Sequence, residues 1–200
     1  MSFRSISFRH YGISLGEIET IYSMLINVSY VEEEQISYND LSAYVGNQNE
    51  LDNLYTTLIN IEFPYLFGEN FFQIFTFERW YSLKSILKEI KRRRNRKSAS
   101  LIIYFDGLEQ NKDISVIFSM NNLSKRNFEM AIEKIEYLVD IIPIQLNSIP
   151  QNSFQIVYSY DESTFKWIPL LVKSYDNKNE QKIFEYYYLE NEWTKNIKND

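Results

Sequence analysis

Few of the side chains that commonly catalyse reactions occur in this chain of 200 residues. It contains one histidine, His10, and no cysteine, so cysteine nucleophiles, disulfides and thiolate zinc sites are excluded. A Ser-His-Asp arrangement would have to use His10, and a single histidine in an arginine-rich N-terminal segment is usually incidental. The five glycines are scattered and form no phosphate-binding loop. We therefore expect a protein that is not an enzyme, with no catalytic residue, no metal site and no cofactor.

Carboxylates form three local groups, which are the remaining candidates for acid–base or cation chemistry. They are residues 32–34, the pair Asp161 and Glu162, and the trio Glu185, Glu190 and Glu192. All three groups fall in predicted loops or at the margins of predicted strands. Solvated turns explain such positions better than an acid–base pair or a cation site does.

The densest charge in the chain lies in residues 88–97, Lys-Glu-Ile-Lys-Arg-Arg-Arg-Asn-Arg-Lys. This basic segment carries seven basic side chains and one acidic side chain, in a protein with a net charge of −6. One interpretation is the solvated C-terminal end of a helix, where cations complement the helix dipole. The second is a phosphate-contacting patch for DNA or RNA, and the third is a surface for an acidic partner. The candidate contacts are Lys88, Lys91, Arg92, Arg93, Arg94, Arg96 and Lys97.

Aromatic residues make up 16% of the chain, with sixteen tyrosines and fourteen phenylalanines. Core and strand positions are expected to account for most of them, although tyrosine also suits interfaces. In a strand over residues 186–189, alternation places Tyr186 and Tyr188 on the face opposite Tyr187. One face would pack on a core. The other is a candidate partner surface that comprises Tyr186, Tyr188 and Trp193.

The first half of the chain is predicted to contain helices followed by one hairpin. Ser14 and Glu17 have the spacing of a capping box, which predicts a helix that begins at residue 14 or 15. The same spacing recurs from Ser37 and predicts a short helix over residues 39–45. A third helix is predicted to begin near Glu50, because apolar residues then recur at helical spacing.

The elements after the third helix suggest a family resemblance. Apolar runs at residues 65–67 and 71–75 flank a turn-forming tripeptide and predict a hairpin, and a fourth helix leads into the basic segment. This order of elements resembles the winged-helix family over residues 14–90. In DNA-binding members the third helix enters the major groove. Here that helix carries Glu50 and Asp52 and no lysine or arginine, so the resemblance favours the protein-binding use of the fold.

The second half of the chain is predicted to contain strands on either side of one long helix in sequence. Helical spacing predicts that helix over residues 124–142, with Pro143 ending it. Strands are predicted over residues 101–105, 114–120, 154–160, 165–175 and 183–189. Pro169 makes the fourth of these an edge strand, a bulged strand or a broken one. The order resembles, at the level of the fold, small α/β modules of the roadblock or longin type, which mainly bind proteins.

These patterns together predict an α+β protein. We expect a winged-helix-like domain over residues 1–97, followed by a small α/β module of two strands, a helix and three antiparallel strands over residues 98–200. The expected function is that of a non-enzymatic winged-helix adaptor or regulator that binds another protein. The alternative is a DNA-binding transcriptional regulator that uses residues 88–97 for phosphate contacts.

The expected partners and location follow from the same patterns. We expect another protein as the partner, with nucleic acid at residues 88–97 as the alternative and a homo-oligomer as a further option. The chain has no apolar run of membrane-spanning or signal-peptide length. We therefore expect no membrane partner and a cytoplasmic location.

Overall fold

The computed structural model describes residues 5–45, 57–94, 99–176, 178, 180–187 and 192–195, which form a mixed α+β structure. The strands are β1 (Ile6–Tyr11), β2 (Val31–Gln35), β3 (Thr57–Phe67), β4 (Ala99–Leu108), β5 (Ser115–Met120), β6 (Ser153–Asp161), β7 (Lys166–Tyr175), β8 (Gln181–Tyr187) and β9 (Glu192–Lys195). The α-helices are α1 (Leu15–Ile26), α2 (Ser42–Val45), α3 (Glu69–Phe75), α4 (Phe77–Arg94), α5 (Lys125–Glu133) and α6 (Leu138–Gln145).

All nine strands form one sheet, in the order β2-β1-β3-β4-β5-β6-β7-β8-β9. The pairs β1/β2, β3/β4 and β5/β6 are parallel, and the other neighbours are antiparallel. Parallel neighbours need a crossover connection, and each of the three crossovers here contains α-helix. Strands β7, β8 and β9 each pair antiparallel with the strand before, and no helix follows β6 in the described part of the chain.

One face of the sheet carries the main core. Phe8, Ile61, Ile103, Phe118 and Tyr158 stand opposite one another on five neighbouring strands, and all five are fully buried. Directly opposed residues point to the same face of a sheet. Helix α4 packs between α1 and α5 on this face, and the apolar side chains of all three belong to the same core cluster.

The second face of the sheet is more polar. The adjacent row of opposed residues is Arg9, Asn60, Ile102, Ser119 and Ser159, and all except Asn60 are partly exposed. The segment around α2 covers one corner of this face, where it forms a small second apolar cluster. The helices of the crossovers therefore protect one face of the sheet.

Residues 14–90 do not form the predicted winged-helix-like domain in the structure. The predicted hairpin at residues 65–75 is the end of strand β3 followed by helix α3, and residues 57–61 of the predicted third helix lie in β3. The rest of that helix falls outside the described residues. The helix predicted over residues 124–142 is two helices, α5 and α6, and Pro143 lies inside α6 rather than after it. The boundary predicted after residue 97 falls between α4 and β4, on the crossover between the paired strands β3 and β4.

Several local predictions are confirmed. Helix α1 begins at Leu15, and the Ser14 backbone N–H donates a hydrogen bond to the Glu17 carboxylate, 2.8 Å away. The predicted strands of the second half correspond to β4 to β8. Strand β7 is bulged next to Pro169, because Val157 pairs with Leu171 whereas Tyr158 pairs with Pro169.

Residues 32–34 are not a solvated turn. They lie in β2, and each glutamate binds a side chain on or just before β1. The Ser5 hydroxyl donates to Glu32, the Arg9 guanidinium donates to Glu34, and His10 Nε2 lies 2.5 Å from Glu33 Oε1. The edge pair β2/β1 is thus held by side chains as well as by its ladder.

One buried ion pair joins the start of α1 to the end of α4. Arg94 Nη2 lies 2.8 Å from Glu17 Oε2, and it also donates to the carbonyl of Gly12 at 3.0 Å. Glu17 is only 3% exposed. Burial acts to raise the pKa of Glu17, but hydrogen bonds from Ser14 and Arg94 outweigh it and hold the pKa below its ordinary value.

Loss of Arg94 is expected to destabilise the fold. In Arg94→Met the buried Glu17 carboxylate loses its hydrogen-bonded cation and keeps only the longer contact with Arg93 Nη1, 3.6 Å away, which costs roughly 2–3 kcal/mol of unfolding free energy. Urea denaturation measures this cost. The matched control is Arg92→Met, since the Arg92 side chain is 58% exposed and pairs with Glu89 at the surface. Equal effects of the two substitutions would show that the Glu17–Arg94 pair has no special role.

The same pair is expected to make stability depend on pH. A carboxyl group with a lowered folded-state pKa stabilises the fold above its unfolded pKa, which is about 4.3 for glutamate, and this contribution fades as the pH falls. The stability difference between the native protein and Glu17→Gln should therefore shrink between about pH 6 and pH 3. Urea titrations at several pH values measure it. A difference that stays constant over this range would contradict the assignment.

Candidate functional site

An apolar groove runs between helix α6 and strands β7 and β8. Its volume is about 550 Å³. It is lined mainly by apolar and aromatic side chains, with two lysines and one glutamine: Lys134, Tyr137, Leu138, Ile141, Gln145, Phe165, Lys166, Trp167, Ile168, Pro169 and Tyr186. A concave surface of this size and composition is typical of binding sites.

Helix α6 supplies one wall of the groove because it is apolar on two sides. Leu138 and Ile142 face the core and are buried. Tyr137, Ile141 and Ile144, at intervals of four and three residues, form a second stripe with exposures of 65%, 43% and 73%. A helix with both stripes covers the core with one side and offers apolar surface with the other.

Strands β7 and β8 supply the opposite wall. Trp167 anchors it, since its ring N–H donates to the Ala131 carbonyl at 2.9 Å under α5. Pro169 sits at the bulge of β7, and the Tyr186 ring lies 5.0 Å from the Trp193 ring. At the mouth, Phe165 has a φ of 56° and a side chain that is 40% exposed. Such a left-handed conformation costs a phenylalanine roughly 1 kcal/mol or more, and strained residues of this kind often mark binding regions.

The charged groups of the groove are two lysines at one end. Lys134 Nζ donates to the Phe165 carbonyl at 2.6 Å and lies 5.8 Å from the centre of the Tyr160 ring. Lys166 begins β7 and is exposed. Among the described residues, the groove lining includes no carboxylate. This end of the groove is therefore cationic, in a protein whose net charge is −6.

Neighbouring carboxylates are engaged elsewhere. Asp161 is paired with Lys166 on the neighbouring strand. Its carboxylate accepts hydrogen bonds from Ser163 and Thr164 in the turn that follows it. Hydrogen bonds, that of Thr164 foremost, hold the pKa of Asp161 below its ordinary value. Glu162 accepts from the Ser124 backbone N–H at the start of α5. These contacts leave Lys134 and Lys166 as the charges that line the groove.

One lining residue of the groove, Gln145, is held from the core side by a buried hydroxyl group. Tyr158 donates a hydrogen bond to Gln145 Oε1, 2.7 Å away. Burial raises the pKa of the Tyr158 hydroxyl, so it stays protonated at physiological pH. The groove lining therefore combines apolar surface, the amide group of Gln145 and two ammonium groups, a set suited to binding.

Several cations of the basic segment form ion pairs with carboxylates of the same chain. Lys88 binds Glu133, Arg92 and Arg93 bind Glu89, and Arg94 binds Glu17. Lys91 is 3% exposed, and its ammonium group lies 5.9 Å from the centre of the Phe128 ring. Burial lowers the pKa of Lys91, against the opposing attraction of Glu162. Arg96 and Lys97 fall outside the described residues.

A second ionic cluster fixes α4 against the start of α6. Lys84 is 3% exposed and binds Glu133 and Glu136 at 2.7 Å and 2.6 Å. The ring N–H of Trp80 also donates to Glu136, at 3.0 Å. Glu133 and Glu136 therefore point towards α4, whereas Lys134 between them points towards β7. This arrangement separates the acidic and basic side chains of the α5–α6 junction.

Of the predicted partner surface, Tyr186 lines the groove, and Trp193 packs against Tyr186. Tyr188 falls outside the described residues. The sequence reasoning missed Tyr137, Ile141 and Phe165. The first two share a stripe with Ile144, and that stripe was visible as a second apolar periodicity beside the one that predicted the helix.

Three further observations concern metal ligands, the single histidine and membrane-spanning helices. In the described residues no group of three or more histidine, cysteine, aspartate or glutamate side chains is placed to hold a metal ion. His10 is 2% exposed and faces the core next to Phe8, with Glu33 as its partner. No helix in the described ranges has the length and apolar character needed to cross a membrane.

Comparisons of the chain with protein-family models, with curated proteins and with solved structures found no match. The groove and its charges are therefore the basis on which function is inferred.

Nucleic acid is expected to bind weakly. Phosphates would have to displace Glu17, Glu89 and Glu133 from the cations of the basic segment. Fluorescence anisotropy with a random DNA duplex across a salt series, starting near 50 mM, should give either no saturable binding or a log–log slope shallower than about −2. A slope near −3 or steeper, lost when Arg92, Arg93, Arg94 and Arg96 are changed to alanine, would instead establish a phosphate-binding patch.

Proposed function

We propose that this protein is a non-enzymatic adaptor or regulator that works by binding another protein in the groove between α6 and β7–β8. The observation that carries the proposal is that Tyr137 and Ile141, two exposed apolar side chains of the stripe on α6, line the groove opposite a second apolar wall. Large contiguous apolar surface is uncommon on proteins that have no partner. Its aromatic composition matches that of interface centres.

Rigid anchoring of both walls supports this proposal. Helix α6 is held to the core by Leu138 and Ile142, and β7 is held by the hydrogen bond from Trp167 to α5. A partner would therefore meet a preformed surface and would not bear the cost of ordering it. Preformed apolar pockets of this kind commonly contain the residues that contribute most to binding.

Site-specific photocrosslinking in the source organism tests the proposal. A benzophenone amino acid at Tyr137 should yield discrete crosslinked protein products, because this side chain lies at the mouth of the groove. The same amino acid at Tyr30, which has a nearly equal exposure of 63% just before β2, is the matched control and should yield none of these products. Introducing Ile141→Asp should remove the products obtained at position 137.

Two results would count against the proposal. The first is the same set of products from positions 137 and 30, which would indicate random collision. The second is a set of products at position 137 that Ile141→Asp leaves unchanged. Since Ile141 is 43% exposed, this substitution is expected to lower the unfolding free energy by about 1–2 kcal/mol and to leave the protein folded, which thermal melting can check.

A further inference from the structure

The groove also carries information about the chemistry of its occupant. We infer that it receives a polypeptide segment of a partner protein in which apolar or aromatic side chains are followed by aspartate or glutamate. The inference rests on the proposed function and extends it to the class of partner. The apolar residues would lie between α6 and β7, and the carboxylates would meet Lys134 and Lys166.

The position of the two lysines supports an acidic segment. Both line the same end of the groove, and the carboxylates nearest in the chain are engaged in turns or directed towards α4. Lys134 is held in place by its bond to the Phe165 carbonyl, which fixes the direction of approach for an anion. Charges placed at the end of an apolar groove fix the register and orientation of a bound segment.

The volume of the groove supports a short segment as the occupant. A space of about 550 Å³ accommodates a few side chains but not a folded domain. The stripe of Tyr137, Ile141 and Ile144 continues the apolar wall along α6 towards its C-terminus. A segment lying along α6 could therefore place successive apolar side chains against this stripe and its carboxylates against the lysines.

A second copy of this chain fits less well. A two-fold axis parallel to α6 would bring each Lys134 towards the other, a pair of like charges. An axis perpendicular to α6 would place α6 antiparallel to its counterpart, so that Lys134 would meet the C-terminal turns of the other α6. Those turns read Ile142-Pro143-Ile144-Gln145 and contain no carboxylate. The lysines would then face apolar side chains, which is unfavourable for buried charges.

Selection from a phage library of random short peptides on the immobilised, full-length protein tests the inference. We expect enriched peptides that combine apolar or aromatic residues with aspartate or glutamate. Their affinity, measured by fluorescence anisotropy with the synthetic peptides, should fall about tenfold or more in the double variant Lys134→Glu and Lys166→Glu. Lys112→Glu, an exposed lysine on the β4–β5 connection, is the matched charge control and should leave the affinity unchanged.

Two further variants separate failure of this inference from failure of the proposed function. Ile141→Asp should abolish binding of the selected peptides, whereas Ile74→Asp, at a 49% exposed position on α3, should not. Groove-dependent peptides without acidic residues, or with an affinity that the lysine reversals leave unchanged, would overturn the acidic-segment inference and leave the proposed function standing. No enrichment, or peptides insensitive to Ile141→Asp, would overturn both. Circular dichroism and melting of each variant confirm that it is folded.

Discussion

The structure depends on the way in which the helices are added to the sheet. Each parallel pair, β1/β2, β3/β4 and β5/β6, needs a crossover, and the helices of the three crossovers build the layer over the core. Strands β7 to β9 extend the sheet antiparallel without adding a described helix. The helix layer is consequently narrower than the sheet. Its last member, α6, stands beside strands that no further helix covers in the described part of the chain, and the apolar groove lies where the helix layer ends.

Electrostatics inside the chain reinforce this layer. The ion pair of Glu17 with Arg94 ties α1 to α4, and Lys84 with Glu133 and Glu136 ties α4 to the α5–α6 junction. In its described part the basic segment therefore makes ion pairs with carboxylates of the same chain, although its charge density alone suggested nucleic acid. Its carboxylate partners lie as far as 77 residues away in sequence, a separation that no local pattern reveals.

Elements that a local sequence pattern specifies were predictable, and their assembly into one nine-stranded sheet was not. The capping box at Ser14 and the apolar runs of β4 and β5 each specify their element directly. The start of strand β3 was predicted as helix because the helical spacing of apolar residues that begins near Glu50 continues through Leu58 and Ile61, which are buried in the strand. Strand alternation predicted Tyr186 as part of a candidate partner surface, and this residue lines the groove. The opposite wall was missed because the second stripe of α6 gains meaning only once β7 is seen beside it.

The central claim is that this groove is an exposed, apolar and cationic binding surface of the native protein. Titration with anilinonaphthalene sulfonate tests it most directly, because this dye joins an apolar ring system to one anionic group and fluoresces when it leaves water. The account predicts saturable binding of one dye per chain under native conditions, abolished by Ile141→Asp, weakened by reversal of Lys134 and Lys166, and unchanged by Ile74→Asp. Absence of binding, or binding that Ile141→Asp does not alter, would contradict it.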